Sequence, residues 1–379
     1  MREKDRGSGV DLTTVLNKLI FANLTHRPVR TLLSVLAIAV EVTMILTLVG
    51  VSHGTLDATK DRTKAIGADV VVRPAGSSIM SSLSGAPLSD KYLPFMMQQP
   101  HVTAVTGVVA QSIQFPDSVF GIDFAAFNKM SGGFEYVTGR DPVNDDDMIV
   151  DEDYAKKHHL RVDSRIDLIA HSWNISGIMR SGKGARIAVK LNALQTIVGT
   201  PGHLTMIYVK LDDSALADQV ADQLKLALHD DQVYSMDALL SAYDVSNIGM
   251  LRDFIDVVIF IAVVVGFIVV FMAMYTAVLE RTREIGIIKA VGGGSGLVLG
   301  ILLRETVLLA MGGTLLGIVM TYGSQWMMKH FEPGSLVQET VYAWWPIAGA
   351  IAIVGAILGA VVPGVKAVRQ DVTEALSYE

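Results

Sequence analysis

The chain has 379 residues, of which 51% are hydrophobic and 18% charged, and its mean hydropathy is +0.43. An ordinary soluble domain carries about a quarter charged residues, so this balance points to a membrane protein. The chain has no cysteine, which excludes a disulfide framework, a thiol nucleophile and a Cys-ligated metal site, and its net charge of −7 offers no nucleic acid a basic footprint.

In chain order, residues 1–30 read as a polar tail without the apolar core and small-residue cleavage site of a signal peptide. Within it Leu12, Leu16, Leu19 and Ile20 recur at helical spacing after Asp11, as in a short amphipathic helix lying along a membrane surface. A membrane-crossing helix needs about 20 mostly apolar residues. Four stretches qualify: residues 31–51, 254–279, 297–322 and 342–362. Lys and Arg gather on one side of them, with Arg27 and Arg30 before the first, Arg281, Arg283 and Lys289 after the second, and Lys366 and Arg369 after the fourth. By the positive-inside rule both termini face the cytoplasm, as do residues 280–296 and the tail 363–379. Residues 52–253 and the loop 323–341 then lie outside.

The large outer segment has the composition of an α+β domain. Two parts of it share an outline of strand, helix, strand. Asp69–Arg73, Asp90–Gln98 and Val102–Val109 form the first, and Met206–Leu211, Ser214–Leu228 and Val233–Met236 the second. In the second helix Leu216, Val220, Leu224 and Ala227 make one apolar stripe, suited to packing on a sheet. Between the two units, about residues 112 to 205 are rich in Gly, Asp and short β-like runs such as Ile149-Val150 and Arg186–Val189.

Motifs for chemistry are sparse. Gly177-Ile-Met-Arg-Ser-Gly-Lys-Gly184 follows the phosphate-binding pattern until its last position, where a glycine replaces the magnesium-binding hydroxyl; it reads as a hairpin turn. The acidic run Asp145-Asp-Asp147 with Asp151, Glu152 and Asp153 lacks the spacing of a calcium loop and reads as a solvated face. His158-His159 are adjacent rather than a helical turn apart, which does not suit a metal pair. The residues contain no catalytic constellation, so the expectation is no enzyme, no metal and no cofactor in this chain. Ionisable residues inside the apolar stretches include Glu41, Arg304 and Glu305. An unpaired acid at Glu41's depth costs at least about 2.5–3.5 kcal/mol, so it should face protein or find a partner, Arg304 being one candidate. Gly349, Gly355 and Gly359 in the fourth stretch permit close helix approach.

Val278-Leu-Glu-Arg-Thr-Arg-Glu-Ile-Gly-Ile-Ile-Lys-Ala-Val-Gly292 resembles the ERxxEIGxxKAxG signature of the MacB/FtsX-like ABC permeases. Leu303-Arg-Glu305, Gly312-Gly-Thr-Leu-Leu-Gly317, the entry motif Asn23-Leu-Thr-His-Arg-Pro-Val-Arg-Thr-Leu-Leu33, and Pro363 with Glu374-Ala-Leu376 are also similar to that family. So is the order of one span, a large outer domain and three spans. Glu41 departs from the pattern, since the family generally has a small or apolar residue there, and the tail after Pro363 carries fewer arginines than usual.

The resemblance implies four transmembrane helices with an extracytoplasmic α+β domain of porter and Sabre-like subdomains, in the inner membrane. It implies a dimer with a second permease copy or paralogue, and an ABC ATPase partner carrying ATP and magnesium. The ATPase would engage Glu280, Arg281, Arg283, Glu284, Ile285, Gly286, Ile287, Ile288 and Lys289, with the three isoleucines inserting into a groove. MacB itself carries an ATPase before its permease, for which this sequence has no room, so a separate ATPase subunit is expected. A periplasmic adaptor or substrate-binding partner also fits. Two functions stay open. One is export or extraction of an amphiphilic, lipid-linked or peptide substrate by mechanotransmission. The other is a signalling scaffold that regulates an envelope hydrolase without transport.

Overall fold

The computed structural model describes residues 28–77, 87–114, 117–228, 230–245, 247–292, 294–331, 334 and 336–369. The amphipathic segment 12–23, the first part of the entry motif and Glu374–Leu376 lie outside the described residues. Four helices are long and apolar enough to cross a membrane: Pro28–Lys64, Gly249–Glu280, Ser295–Phe331 and Trp344–Arg369, here called spans 1 to 4. The chain divides into two compact units. One comprises the described residues up to Gly50, Asp253–Trp326 and those from Thr340 on; the other comprises Val51–Arg252 and Met327–Glu339.

Spans 1 and 3 continue as helix well past their apolar stretches. Hydropathy marks where a helix is apolar, not where it stops. Residues 52–64 are polar but helix-compatible, with Lys60 bonded one turn back to Asp57 at 3.0 Å. The stop comes at Gly67, which takes a left-handed φ of 79°.

In the helical unit, small residues decide which helices touch. A Cβ on Gly313 would fall 2.6 Å from Ile38, and one on Gly317 would fall 2.8 Å from the Ala39 carbonyl, so span 3 receives span 1 along these two glycines one turn apart. Gly359 of span 4 lies in the same way against the Phe267 carbonyl of span 2. Gly349 lies beside Thr314 of span 3, whereas Gly355 makes only ordinary contact with Val263. Large apolar side chains on the outside, among them Phe260, Leu315, Val319 and Val354, are left exposed. In water such a surface would be a liability; in lipid it is solvated.

The other unit is built on one mixed sheet. Its strands are β1 (Val70–Arg73), β3 (Val102–Gln114), β4 (Asp117–Ile122), β5 (Tyr136–Gly139), β6 (Asp147–Asp151), β7 (Arg165–Leu168), β8 (His171–Met179), β9 (Ile187–Lys190), β11 (Met206–Leu211) and β12 (Gln232–Ser235). β2 (Leu88–Ser89) and β10 (His203–Leu204) pair separately. The strand order is β12-β1-β11-β3-β4-β9-β6-β8-β5, with β7 on β8. The two strand-helix-strand units are therefore not side by side: β1 sits between β11 and β12, and β11 between β1 and β3. This is the interleaved pattern of a split β-α-β fold, with β4 to β10 inserted. β3 joins the parts, pairing β11 through Val102–Val108 and β4 through Val108–Gln114.

Both faces of the sheet are buried. Val70, Val72, Met148, Val150, Ile187, Val189, Ile207 and Val209 join one core, while their neighbours Val71, Ile149, Ala188 and Tyr208 join another. Strands covered on both sides read as unbroken apolar runs, as these do. Helix Ala217–Ala227 packs with Val220, Ala221 and Leu224 inward; Ala227 is exposed and Leu228 takes its place.

Two expectations need correction. The segment after β8 is no hairpin turn, because β8 and β9 lie on opposite sides of β6 and the chain must cross over between them. Lys183 holds this crossover by donating to the carbonyls of Ser131 and Gly133 at 2.7 Å each. Nor is the acidic run a solvated face throughout. Asp147 and Asp151 are 4% and 1% exposed. Burial works against the charge of Asp147, but N–H groups of Asn144 and Val143 and the Asn174 and Asn144 amides outweigh it and hold its pKa below the ordinary carboxylate value. Asp151 caps helix Glu152–Lys157 through the Tyr154 N–H at 2.7 Å. It also meets Arg62 at 3.2 Å and Arg186 at 3.3 Å, and Arg186 reaches Asp117 at 2.7 Å. Alternation of charge alone could not separate these buried acids from exposed Asp145 and Asp146.

Replacing Arg186 by Met would leave two buried carboxylates short of a counter-charge, a loss of about 3–5 kcal/mol. The expected result is a lower thermal midpoint for protease cleavage within residues 70–235 of the detergent-purified chain. An unchanged midpoint would show that the network does not stabilise the domain.

Candidate functional site

The charged end of the helical unit gathers the residues of interest. Span 2 stops at Glu280, Arg281 departs from helical geometry (φ −109°, ψ 15°), and a new helix runs over Thr282–Ala290. Gly292, with φ 95°, ends the segment before span 3 begins at Ser295. The short helix is a separate element because of that break and because its inner side is anchored. Thr282, Ile285 and Gly286 are buried, and Ile288 packs against the bundle core. Its outer side presents Arg283, Glu284, Ile287, Ala290 and Val291, all exposed. Of the three isoleucines expected to enter a partner's groove, only Ile287 points away from the bundle.

Both ends of the short helix are tied down. At its start, the Arg281 guanidinium donates to Glu305 Oε2 at 3.1 Å. Near its end, Lys289 Nζ donates to the Val368 carbonyl of span 4 at 2.9 Å. Glu305 Oε1 lies 3.5 Å from Arg30 of span 1, and Arg30 also meets Glu280 at 3.3 Å. Spans 1, 2 and 3 thus meet at a single carboxylate, and Lys366 of span 4 closes the ring by bonding the Tyr275 hydroxyl of span 2 at 2.9 Å. Glu305 is 1% exposed and Arg281 8%. Sequence reasoning placed Arg281 on a partner's surface; it lies inside. Nothing in the one-dimensional pattern distinguishes it from exposed Arg283 two positions on, although the helical period would have put Thr282, Ile285 and Gly286 on its side.

Glu41 and Arg304 are not brought together. Arg304 is exposed. Glu41 is 6% exposed and lies against span 2, where a Cβ on Gly266 would sit 1.9 Å from its Oε2. Its other oxygen has no hydrogen-bond partner. Gly266 thus leaves room for this carboxyl, a pairing no sequence spacing reveals. Among the described residues no three His, Asp or Glu side chains gather as a metal site would require.

Gly266→Ala should therefore cost about 1–3 kcal/mol by overpacking. Adding Glu41→Ala should restore most of it, whereas Glu41→Gln, of equal volume, should not. Thermal midpoints of the wild type, the three single variants and the two double variants test this, and additive losses in the Gly266→Ala, Glu41→Ala protein would refute the contact.

Compared with known proteins, residues 31–227 match the MacB-like periplasmic core domain and residues 257–372 match the FtsX-like permease C-terminal domain. The macrolide export ATP-binding/permease protein MacB of Hahella chejuensis is 23% identical over 411 aligned residues, which take in all of this chain and 62% of that protein. MacB of Salmonella typhimurium is 26% identical over 425 residues, with 65% of its length covered. The chain thus spans a little under two thirds of the length of these relatives. The periplasmic region of MacB from Actinobacillus actinomycetemcomitans superposes on 47% of this chain and 94% of its own, with 16% identity and a TM-score of 0.36.

Proposed function

Because the chain belongs to the MacB/FtsX-like family of ABC transporter permeases, we propose that it couples ATP hydrolysis by a partner ATPase to movement of the domain between spans 1 and 2. That movement exports or extracts an amphiphilic, lipid-linked or peptide substrate. Neither matched domain is an ATPase, and the ATP and magnesium belong to the partner. The observation carrying the reading is the short helix Thr282–Ala290, anchored inward and offering Arg283, Glu284 and Ile287 outward. A charged pair beside an apolar side chain suits insertion into a complementary groove, where the charges fix register and the isoleucine adds buried area.

In this reading the charged end of the bundle faces the cytoplasm, following the Lys and Arg bias, and the sheet domain lies outside an inner membrane. A second permease copy packs along span 2, the least buried of the four. The resemblance to the MacB name supports efflux as the direction, and identification of small molecules retained by the purified complex distinguishes a transporter from a scaffold that only activates an envelope hydrolase.

Two experiments test this. Arg283→Glu combined with Glu284→Arg should abolish co-purification of the ATPase while the permease stays inserted and folded; undiminished binding would exclude this helix as the docking element. Since the chain has no cysteine of its own, Lys225→Cys should react with a membrane-impermeant thiol reagent applied to intact spheroplasts and Ser295→Cys should not. Labelling at residue 295 would reverse the orientation.

A further inference from the structure

Glu305 is far more buried than any surface ion pair requires, and its two oxygens serve different helices. Oε2 takes Arg281 at 3.1 Å, the residue at which span 2 breaks into the short helix. Oε1 faces Arg30 at 3.5 Å, in the first turn of span 1. Arg30 in turn contacts Glu280, the last residue of span 2. Glu305 itself belongs to span 3, eleven residues into that helix. Any tilt of the short helix about the break at Arg281 therefore pulls on a carboxylate that also holds span 1. A buried charge cannot release one arginine into apolar surroundings without losing its compensation, so the contact resists separation far more steeply than packing alone. The far end is held independently, by Lys289 on Val368 of span 4.

We propose that Glu305 is a positioning residue that makes the short helix move together with spans 1 and 3, so that a push from the ATPase reaches span 1 and, through it, the outer domain. This rests on the reading that Thr282–Ala290 docks an ATPase. It differs from docking itself, since neither Arg281 nor Glu305 offers a surface to a partner. Two sites biasing one physical element is what coupling requires.

The test uses the full permease with its ATPase in nanodiscs and three readouts: ATPase co-purification, permease-stimulated ATP hydrolysis, and the ATP-dependent fluorescence change of a dye on Lys225→Cys in the outer domain. Glu305→Gln keeps shape but removes the charge that holds both arginines. It should retain the ATPase, lower the kcat of stimulated hydrolysis at least tenfold with KM for ATP unchanged, and abolish the fluorescence change. Glu305→Asp, which keeps the charge, should recover most of both signals. If Glu305→Gln does not insert, Arg30→Gln and Arg281→Lys, each weakening one arm, should give partial losses of the same kind. A wild-type fluorescence response in Glu305→Gln, or in both single-arm variants, overturns the proposal. So does an Asp variant as impaired as Gln, which would mark a purely steric role. The Arg283→Glu, Glu284→Arg protein reads docking alone: if it still binds the ATPase, the docking reading fails, whatever happens at Glu305.

Discussion

The Glu305 carboxylate is sealed inside an apolar helix bundle, and its charge is met by arginines from span 1 and from the break after span 2. That one requirement determines much of the local geometry. Arg281 reaches Glu305 from the point where helical geometry is interrupted after Glu280, and the same interruption turns the chain into the short helix. Arg30 reaches it from span 1, which Gly313 and Gly317, on the same helix as Glu305, let come close. A buried ion pair is weak evidence for stability, since apolar residues of similar volume often serve as well. What the network supplies is a charged contact that fixes the register among three helices, beside the close glycine contacts that bring them together.

Much of this was legible from the sequence. Four apolar stretches announced four helices, and the family signature after span 2 located the short helix within a few residues. The strands β1, β3, β11 and β12 stood out because residues such as Val70–Val72 and Ile207–Val209 are apolar on both faces. Other features were hidden for physical reasons. Span 1 continues to Lys64 because helix formation needs no hydrophobicity, only compatible backbones and a stop such as Gly67. β8, His171–Met179, escaped notice because its pattern mixes Ser, Asn and Gly with Trp and Ile, although Trp173 is fully buried with its indole N–H bonded to the Leu168 carbonyl. Ion pairs were the least legible of all. Arg186 lies far along the chain from Asp117, and Arg30 from Glu305, and adjacent charges such as Arg304 and Glu305 meet opposite fates according to which side of a helix they occupy.

The two ionic groups, one in each unit, share a design. Each sets an arginine between acids contributed by different elements: Arg186 between Asp117 and Asp151, and Arg30 between Glu280 and Glu305. Guanidinium groups suit such positions because they are permanently charged, planar and more weakly hydrated than ammonium, so they can serve two carboxylates at modest desolvation cost. Two lysines, Lys183 and Lys289, are used differently, donating to backbone carbonyls.

The interleaving of β1 between β11 and β12 has a consequence for biogenesis. Val72 pairs with Ile207 on one side and Val233 on the other. Neither partner exists when β1 leaves the ribosome. At roughly 5–20 residues per second, the strand waits on the order of ten seconds or more with both edges open. β1, held between β11 and the edge strand β12, is thus the first strand made and the last to gain both neighbours. An apolar strand with two unpaired edges is a template for aggregation. In a newly made chain the hazard is concentrated at Val70–Val72, the segment a chaperone or the translocation machinery has most reason to hold.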